Sequence, residues 1–457
     1  MGRLVGPLGY LLLVLAATAL PPALVAGLYG ETGELIWFLG LALGTGALGW
    51  LARRASPSRS LSEADALPLT ALAYLAFSLL GALPFLPVGP FLNGWFEAAS
   101  GITTTGLSVF RPEGLPRSLI LFRSLLQWIG GAGIVVISLA LLLPPGRTAL
   151  ALYAAEYGGE NLAGSVKLTA RRVAWVYLSL TGLGFVAYLS AGMGPFDAGV
   201  HILSSVSTGG FSPYSDSIGH YSSLAVEGVV ALFMLAGAIS FPLFWLLRPG
   251  KARALVRERQ LLALGAVSLL VGGIVAGAVG SFGTGLFQGI SAVTTTGFAS
   301  VPTQGLSAAA RWGLILGMVI GGCGGSTAGG IKLFRLLGLL ALGRWLLARA
   351  RLPREAEVPL RFWGETYAHE EALRLAGYVL LYLGMLALAV TALVYWGYPL
   401  GDALFEATSA QGTVGLSVGI ANPTAPIGVK LILILLMWMG RLEILPVILL
   451  LRRTVRR

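Results

Sequence analysis

The chain has 457 residues, 56% of them hydrophobic and only 11% charged, with a formal net charge of +11. That balance excludes an ordinary soluble domain, and apolar runs of about 20 residues recur along the chain, each long enough to cross a bilayer as a helix. The positive charge sits in short clusters between apolar pairs, as the positive-inside rule requires of cytoplasmic loops, so it marks topology rather than nucleic-acid binding.

In chain order, apolar segments at about 10–28 and 34–52 come first. Only Arg3 precedes the first of them and "LPPALVAGLYG" is an indifferent cleavage site, so it reads as a retained helix rather than a signal peptide. Beyond the basic stretch "ARRASPSRS" (52–60), spans are expected in pairs at about 66–88 and 116–144, 173–193 and 222–247, 260–280 and 308–346, and 372–397 and 425–451. Further basic clusters at 167–172, 248–259, 343–354 and 452–457 fall between or after these pairs. The pattern predicts an all-α polytopic membrane protein of ten spanning segments with both termini cytoplasmic.

Each pair encloses one copy of a motif. The stretches "FEAASGITTTGLS" (96–108), "VHILSSVSTGGFS" (200–212), "FQGISAVTTTGFA" (287–299) and "FEATSAQGTVGLS" (405–417) align without gaps. They share a serine (Ser100, Ser204, Ser291, Ser409), a threonine (Thr104, Thr208, Thr295, Thr413) and a glycine (Gly106, Gly210, Gly297, Gly415). An internal repeat outranks other signals in assigning a fold. It divides the chain into two additional N-terminal helices at 1–60 and repeats at 61–165, 166–255, 256–355 and 356–457. With the basic loops inside, all four motifs face outward. The short segment before each must enter the membrane and return, which is tolerated only where protein or a water-filled cavity surrounds it. One basic loop between successive motifs makes the repeats parallel, which disfavours an inverted-repeat carrier and favours a central hole.

A cation filter replaces the hydration shell with rings of main-chain carbonyls from four loops. Glycine permits the backbone angles this needs, and threonine adds a hydroxyl at the inner end. The candidate filter is therefore Thr103, Thr104, Thr105 and Gly106 with Ser207, Thr208, Gly209 and Gly210, then Thr294, Thr295, Thr296 and Gly297 with Gly412, Thr413, Val414 and Gly415. A single copy would be read more readily as close helix packing through small residues. Four copies in register, each between two spans, favour coordination. Acidic residues near the motifs (Glu97, Asp197, Asp402, Glu406) have two readings, concentration of cations at the outer mouth or capping of the short helix, for which Asn93, Asp197 and Asp402 are placed. His201 and His220 stand alone, and Cys323 is the single cysteine, so no metal cluster is expected.

Two features lie further along the second spans of repeats 3 and 4. "GGCGGSTAGG" has six glycines in ten residues, and each costs up to about 1 kcal/mol against alanine in a helix, so the helix should break here. Lys332 does not follow the last glycine as a nucleotide-binding loop would require, which leaves a kinked helix or an intramembrane loop. The last span, "LILILLMWMGRLEILPVILLL" (431–451), carries Arg441 at its middle, roughly 16 Å from the inner end of a straight helix. A mid-membrane charge costs at least about 2.5 kcal/mol and turns to a cavity or partner. Repeat arithmetic puts it level with the glycine-rich segment, so Gly321, Gly322, Gly324, Gly325, Ser326, Thr327, Gly329, Gly330 and Arg441 form a candidate gate. Glu443, two residues on, should face away from Arg441; Lys332 is expected to snorkel to the inner surface.

These residues resemble the Trk, Ktr and HKT superfamily of potassium transporters over nearly the whole chain. The resemblance is nearest the bacterial TrkH-like branch, on account of the two added N-terminal helices, "GGCGGSTAGGIK" (321–332) and "GRLEILPV" (440–447). It implies four helix, pore loop, helix repeats around one pore, and an intramembrane loop obstructing conduction. Glycine in all four filters, including Gly106, implies potassium as the transported ion, with some sodium leak allowed. It also implies a bacterial cytoplasmic (inner) membrane location, a homodimer in lipid, and a cytosolic ring of nucleotide-binding regulatory subunits of the TrkA type. Residues 347–370 are a docking candidate, with amphipathic membrane contact as the equal alternative. No organic cofactor is implied. The chain carries no HExxH, nucleophile elbow or paired intramembrane carboxylates, so it is not read as an enzyme. The alternatives kept are a sodium- or proton-coupled potassium symporter and a less selective potassium and sodium channel.

Overall fold

The computed structural model describes residues 2–55, 63–132, 166–247, 258–353, 359–362, 365–366 and 369–455. The fold is all-helical; a two-residue antiparallel ladder, Arg361–Phe362 with Glu365–Thr366, is the exception among the described residues. Helices α1 (Gly2–Tyr29) and α2 (Thr32–Ala55) turn on Gly30, whose φ of +72° is open to glycine. They pack so closely that a Cβ at Gly9 would strike the Gly49 carbonyl, the small-residue contact by which membrane helices associate.

The rest of the chain follows one pattern. A long helix leads to a twelve-residue helix, then an irregular segment, then a second helix. The first copy is α3 (Glu63–Gly81), α4 (Phe91–Ile102) and α5 (Arg117–Ala132). The second is α6 (Val166–Ser190), α7 (Pro195–Val206) and α8 (Leu224–Ala238). The third is α9 (Arg259–Val279), α10 (Phe282–Val293) and α11 (Ala308–Ile320), resuming as α12 (Leu333–Arg349). The fourth is α13 (His369–Tyr395), α14 (Leu400–Gln411) and α15 (Ile427–Arg441), resuming as α16 (Leu445–Val455).

Large apolar side chains on the long helices remain exposed, among them Leu43, Leu183, Leu270 and Leu380. Such continuous apolar exteriors suit lipid rather than water. The twelve-residue helices are different: from Asn93, Ala198, Phe287 and Phe405 onward they are almost wholly buried. The short helices therefore occupy the middle of an apolar shell.

Six described helices are long and apolar enough to cross a membrane by themselves, or seven if the bent last pair counts as one span. Two of the second helices are interrupted: α8 stops at Ala238 before a 3-10 segment at Phe241–Leu247, and α11 stops at Ile320. The last span is not straight either. Helices α15 and α16 meet at 112° across Leu442 to Ile444, where Glu443 and Ile444 adopt left-handed φ of 58° and 66°. Pro446, in the first turn of α16, cannot donate the hydrogen bond that would continue α15. Arg441 thus ends a helix instead of sitting mid-span. The sequence readings at 56–60, 133–144, 248–257, 354–358 and 456–457 lie outside the described residues.

Candidate functional site

Each twelve-residue helix ends in the same hydrogen-bonded cap. In the first, Thr105 N–H donates to Ser100 O (2.9 Å) and Thr104 N–H to Gly101 O (2.9 Å), the paired bonds of a Schellman motif. The same pairs recur as Gly209 to Ser204 and Thr208 to Ser205, Thr296 to Ser291 and Thr295 to Ala292, Val414 to Ser409 and Thr413 to Ala410. The left-handed position of such a cap normally holds glycine. Here it holds Thr104, Thr208, Thr295 and Thr413, at φ of 55°, 51°, 54° and 51°. Left-handed backbone costs an ordinary residue about 1–2 kcal/mol, and a β-branched residue there is an outlier. Such strain, repeated four times, persists only where the surrounding structure over-determines it.

Two residues later the backbone turns again at Gly106, Gly210, Gly297 and Gly415, with φ of 87°, 75°, 80° and 93°. These glycines define a closed ring. A Cβ at Gly106 would collide with Gly209 O, at Gly210 with Thr296 O, at Gly297 with Val414 O, and at Gly415 with Thr105 O, each inside the 3.0 Å that real Cβ atoms do not cross. Each hairpin therefore lies against a carbonyl of the next, and the fourth closes on the first. Outside the ring, the four glycines form the floor of a cavity of about 510 Å³. Inside it, the hydroxyls of Thr104 and Thr413 are buried with no hydrogen-bond partner.

A second ring, unseen in the sequence reading, holds the hairpins. Nine residues before each glycine stands a fully buried polar side chain: Glu97, His201, Gln288 and Glu406. Glu97 accepts from Ser108 Oγ (2.6 Å) and Val109 N–H (2.7 Å), and Glu406 from Ser417 Oγ (2.7 Å) and Val418 N–H (2.9 Å). His201 Nε2 contacts Ser212 Oγ at 3.1 Å, and Gln288 donates to Val301 O at 3.1 Å. Each short helix thus staples the outgoing limb of its own hairpin, and Glu97 and Glu406 satisfy backbone donors at that depth. The aligned motifs carry the signal, a polar residue at one position four times.

The capping reading is corrected for all three candidates, and the mouth reading for Glu97 and Glu406. Glu97 and Glu406 are buried staples, and Arg123 approaches Glu97 at 3.1 Å. None of the three capping candidates makes a side-chain cap. Instead Asp197 accepts from Tyr214 and Tyr221 hydroxyls (2.8 and 3.0 Å), Asp402 pairs with Arg311 (2.6 Å), and Asn93 accepts from Lys430 (2.8 Å). Burial and the bond to Asp197 push the Tyr214 hydroxyl up to about 12. His220 stacks on Tyr214 with ring centroids 3.6 Å apart. In the loops that follow the first two hairpins, burial pushes the Glu113 carboxyl up, but hydrogen bonds from Ser215 outweigh it and hold Glu113 below its ordinary value.

The glycine-rich segment, residues 321–332, breaks the helix between α11 and α12 and lies directly beneath the ring. Gly329 N–H donates to Thr295 Oγ1 (2.7 Å) and its Cα abuts Thr413 Oγ1 and Gly412 O. The Thr327 hydroxyl donates to Gly237 O (2.8 Å), with Val206 O also within reach at 3.0 Å. Gly321, Gly325 and Gly330 carry positive φ, and Gly321 packs on the Gly329 carbonyl. Gly322 sits against Ala328 and Ala238, Gly324 against Phe334, and Ser326 Oγ donates to Cys323 O (2.6 Å). Arg441 binds this loop from the opposite side, donating to Thr327 O (2.6 Å) and to Gly130 O and Gly131 O of α5 (2.6 and 3.1 Å). As expected, Glu443 does not pair with Arg441. Lys332 departs from expectation: it does not snorkel but pairs with Glu443 at 3.1 Å, and Arg335 joins the same carboxylate.

The family described as TrkH, cation transport protein, matches residues 44–248 and 267–455. The chain belongs to the TrkH family. It is 31% identical over 484 residues to the Trk system potassium uptake protein TrkH of Halomonas elongata, covering 97% of this chain and 96% of that one. It is 30% identical over 450 residues to an uncharacterized cation transporter of Methanocaldococcus jannaschii, covering 97% and 94%. The crystal structure of the potassium transporter TrkH from Vibrio parahaemolyticus superposes with a TM-score of 0.85 at 28% identity, covering 100% of this chain and 99% of that one. Membership in the TrkH family makes the chain a membrane transport protein.

Proposed function

We propose that this TrkH-family chain carries potassium inward across the cytoplasmic membrane through the ring of four hairpins. The observation that carries the reading is the closed sequence of contacts from Gly106 to Gly209 O, Gly210 to Thr296 O, Gly297 to Val414 O and Gly415 to Thr105 O. Four main-chain segments around one axis can replace the water of a dehydrating cation ring by ring. The site comprises Thr103 to Gly106, Ser207 to Gly210, Thr294 to Gly297 and Gly412 to Gly415, held by the four buried staples.

Conduction in this proposal is gated beneath the ring. Residues 321–330 close the path and Arg441 holds them closed, since it ties the loop's Thr327 to the end of α5. The repeats correspond to 61–165, 166–255, 256–355 and 356–457, with both termini cytoplasmic. The chain works as a homodimer with a TrkA-like nucleotide-binding ring on its inner face, and potassium is its cargo. The names of the Halomonas and Vibrio relatives support potassium as the ion.

Purified protein in liposomes holding a potassium gradient alone provides the test. Tracer rubidium uptake without sodium or a proton gradient supports a conduit; uptake that requires either second ion supports the coupled symporter instead.

A further inference from the structure

Hairpin 2 is held by a side chain that the other three lack. Gln127, on α5 and fully buried, donates from Nε2 to Gly209 O at 2.5 Å and accepts at Oε1 from Phe211 N–H at 3.2 Å. These two bonds flank Gly210 and come from another repeat, unlike the staple His201 within the hairpin. One acceptor and one donor fix the amide's orientation, because the reverse placement would set like against like. One turn earlier on α5, the Arg123 guanidinium lies 4.0 Å from the centre of the Phe211 ring.

Gln127 stands 21 residues after Gly106; the equivalent positions after the other motif glycines hold Ala231, Met318 and Leu436, none with an amide. Hairpin 2 also differs in sequence where the amide reaches it. Before the motif glycine it has Gly209, where the others have Thr105, Thr296 and Val414. A Cβ at Gly209 would fall inside 3.0 Å of the Gln127 Cδ, Oε1 and Nε2. In hairpins 1 and 3 that residue's hydroxyl bonds its neighbour instead, Thr103 to Thr105 at 2.8 Å and Thr294 to Thr296 at 2.9 Å. Gly209 thus leaves the room that the Gln127 amide occupies.

We infer that Gln127 is a selectivity-setting positioning residue, which fixes one quadrant of the ring through Gly209 O and Phe211 N–H. This rests on the filter reading above. Gly209 O is a ring carbonyl, packed on Gly106. A donor bonded to it restrains its direction, so this quadrant resists closing around a smaller ion. A ring that cannot contract serves sodium poorly, and supporting hydrogen bonds are what keep such a site at fixed size.

The test is the ratio of sodium to rubidium flux through full-length protein in liposomes, which does not depend on how much protein folds. Gln127→Leu removes both bonds; Gln127→Glu keeps an acceptor for Phe211 N–H and sets an oxygen against Gly209 O. Both should raise the ratio, by about three- to tenfold for a bond of ordinary strength. Gln127→Ala should do likewise, and Gln127→Ala with Gly209→Thr, which supplies a side chain from within, should return the ratio toward that of the parent. An unchanged ratio in the Leu and Glu variants overturns the inference, and a structural role alone predicts that result. Gly106→Ser, measured beside them, separates the two failures. If it moves the ratio and they do not, the filter stands and Gln127 is a packing residue; if none moves it, the filter reading falls as well.

Discussion

Arg441 Nη1 donates to the carbonyl of Thr327 at 2.6 Å, joining the end of α15 to the loop beneath the ring. Its other terminal nitrogen reaches Gly130 O at 2.6 Å, so one guanidinium fastens the loop to the opposite wall. Hydrogen bonds to a charged group contribute about 1.5–3 kcal/mol each, and about 1.4 kcal/mol shifts an open and closed equilibrium tenfold. Arg441→Ala should therefore raise rubidium flux by about tenfold or more at equal protein in the membrane. Loss of folded protein with no gain in flux per molecule would make Arg441 a strut only.

Gly106 has φ of +87° and packs on Gly209 O. A side chain there meets left-handed strain of about 1–2 kcal/mol as well as the carbonyl, and about 1.4 kcal/mol is a tenfold preference. Gly106→Ser should raise sodium relative to rubidium permeation by about tenfold. Paired flux measurements in the same liposomes check this, and an unchanged ratio counts against the ring as the selective element.

Lys332 and Arg335 share the carboxylate of Glu443, so the breaks in the third and fourth second helices are tied together. Glu443→Gln leaves two cations beside a neutral amide. The expected loss is about 1.5–3 kcal/mol, read as a lower Tm in detergent, with partial recovery when Lys332→Met is added. Equal Tm values for parent and Glu443→Gln would show that the contact holds nothing.

Glu113 joins the loops that follow the first two hairpins, accepting from Ser215 N–H at 2.6 Å and Ser215 Oγ at 2.7 Å. Its folded value lies below the ordinary 4.5, so the tie is fully present above 4.5 and is lost as pH falls through the lower folded value. Thermal stability should drop on acidification below about 4.5, and Glu113→Gln should flatten that part of the curve. A pH profile identical in both proteins would remove Glu113 from this role.

The all-helical membrane architecture was legible because apolar length and repeated motifs are local in sequence. The four motifs also pointed to residues that converge in space, the glycines on a common ring and the threonines at the helix ends. What escaped depended on partners distant in the chain. Glu97 and Glu406 read as mouth residues because a carboxylate in a pore segment suggests attraction, yet each has a serine eleven residues on that takes it inward. The bend after Arg441 had a signal in Pro446, masked by the apolar run around it. The Gln127 to Gly209 bond spans 82 residues and follows from no spacing rule.

Anomalous diffraction from crystals exchanged from potassium into thallium tests the central claim most directly. The account predicts thallium on the axis between Thr103–Gly106, Ser207–Gly210, Thr294–Gly297 and Gly412–Gly415, displaced by excess potassium. An axis without thallium, in crystals that bind it elsewhere, would contradict it.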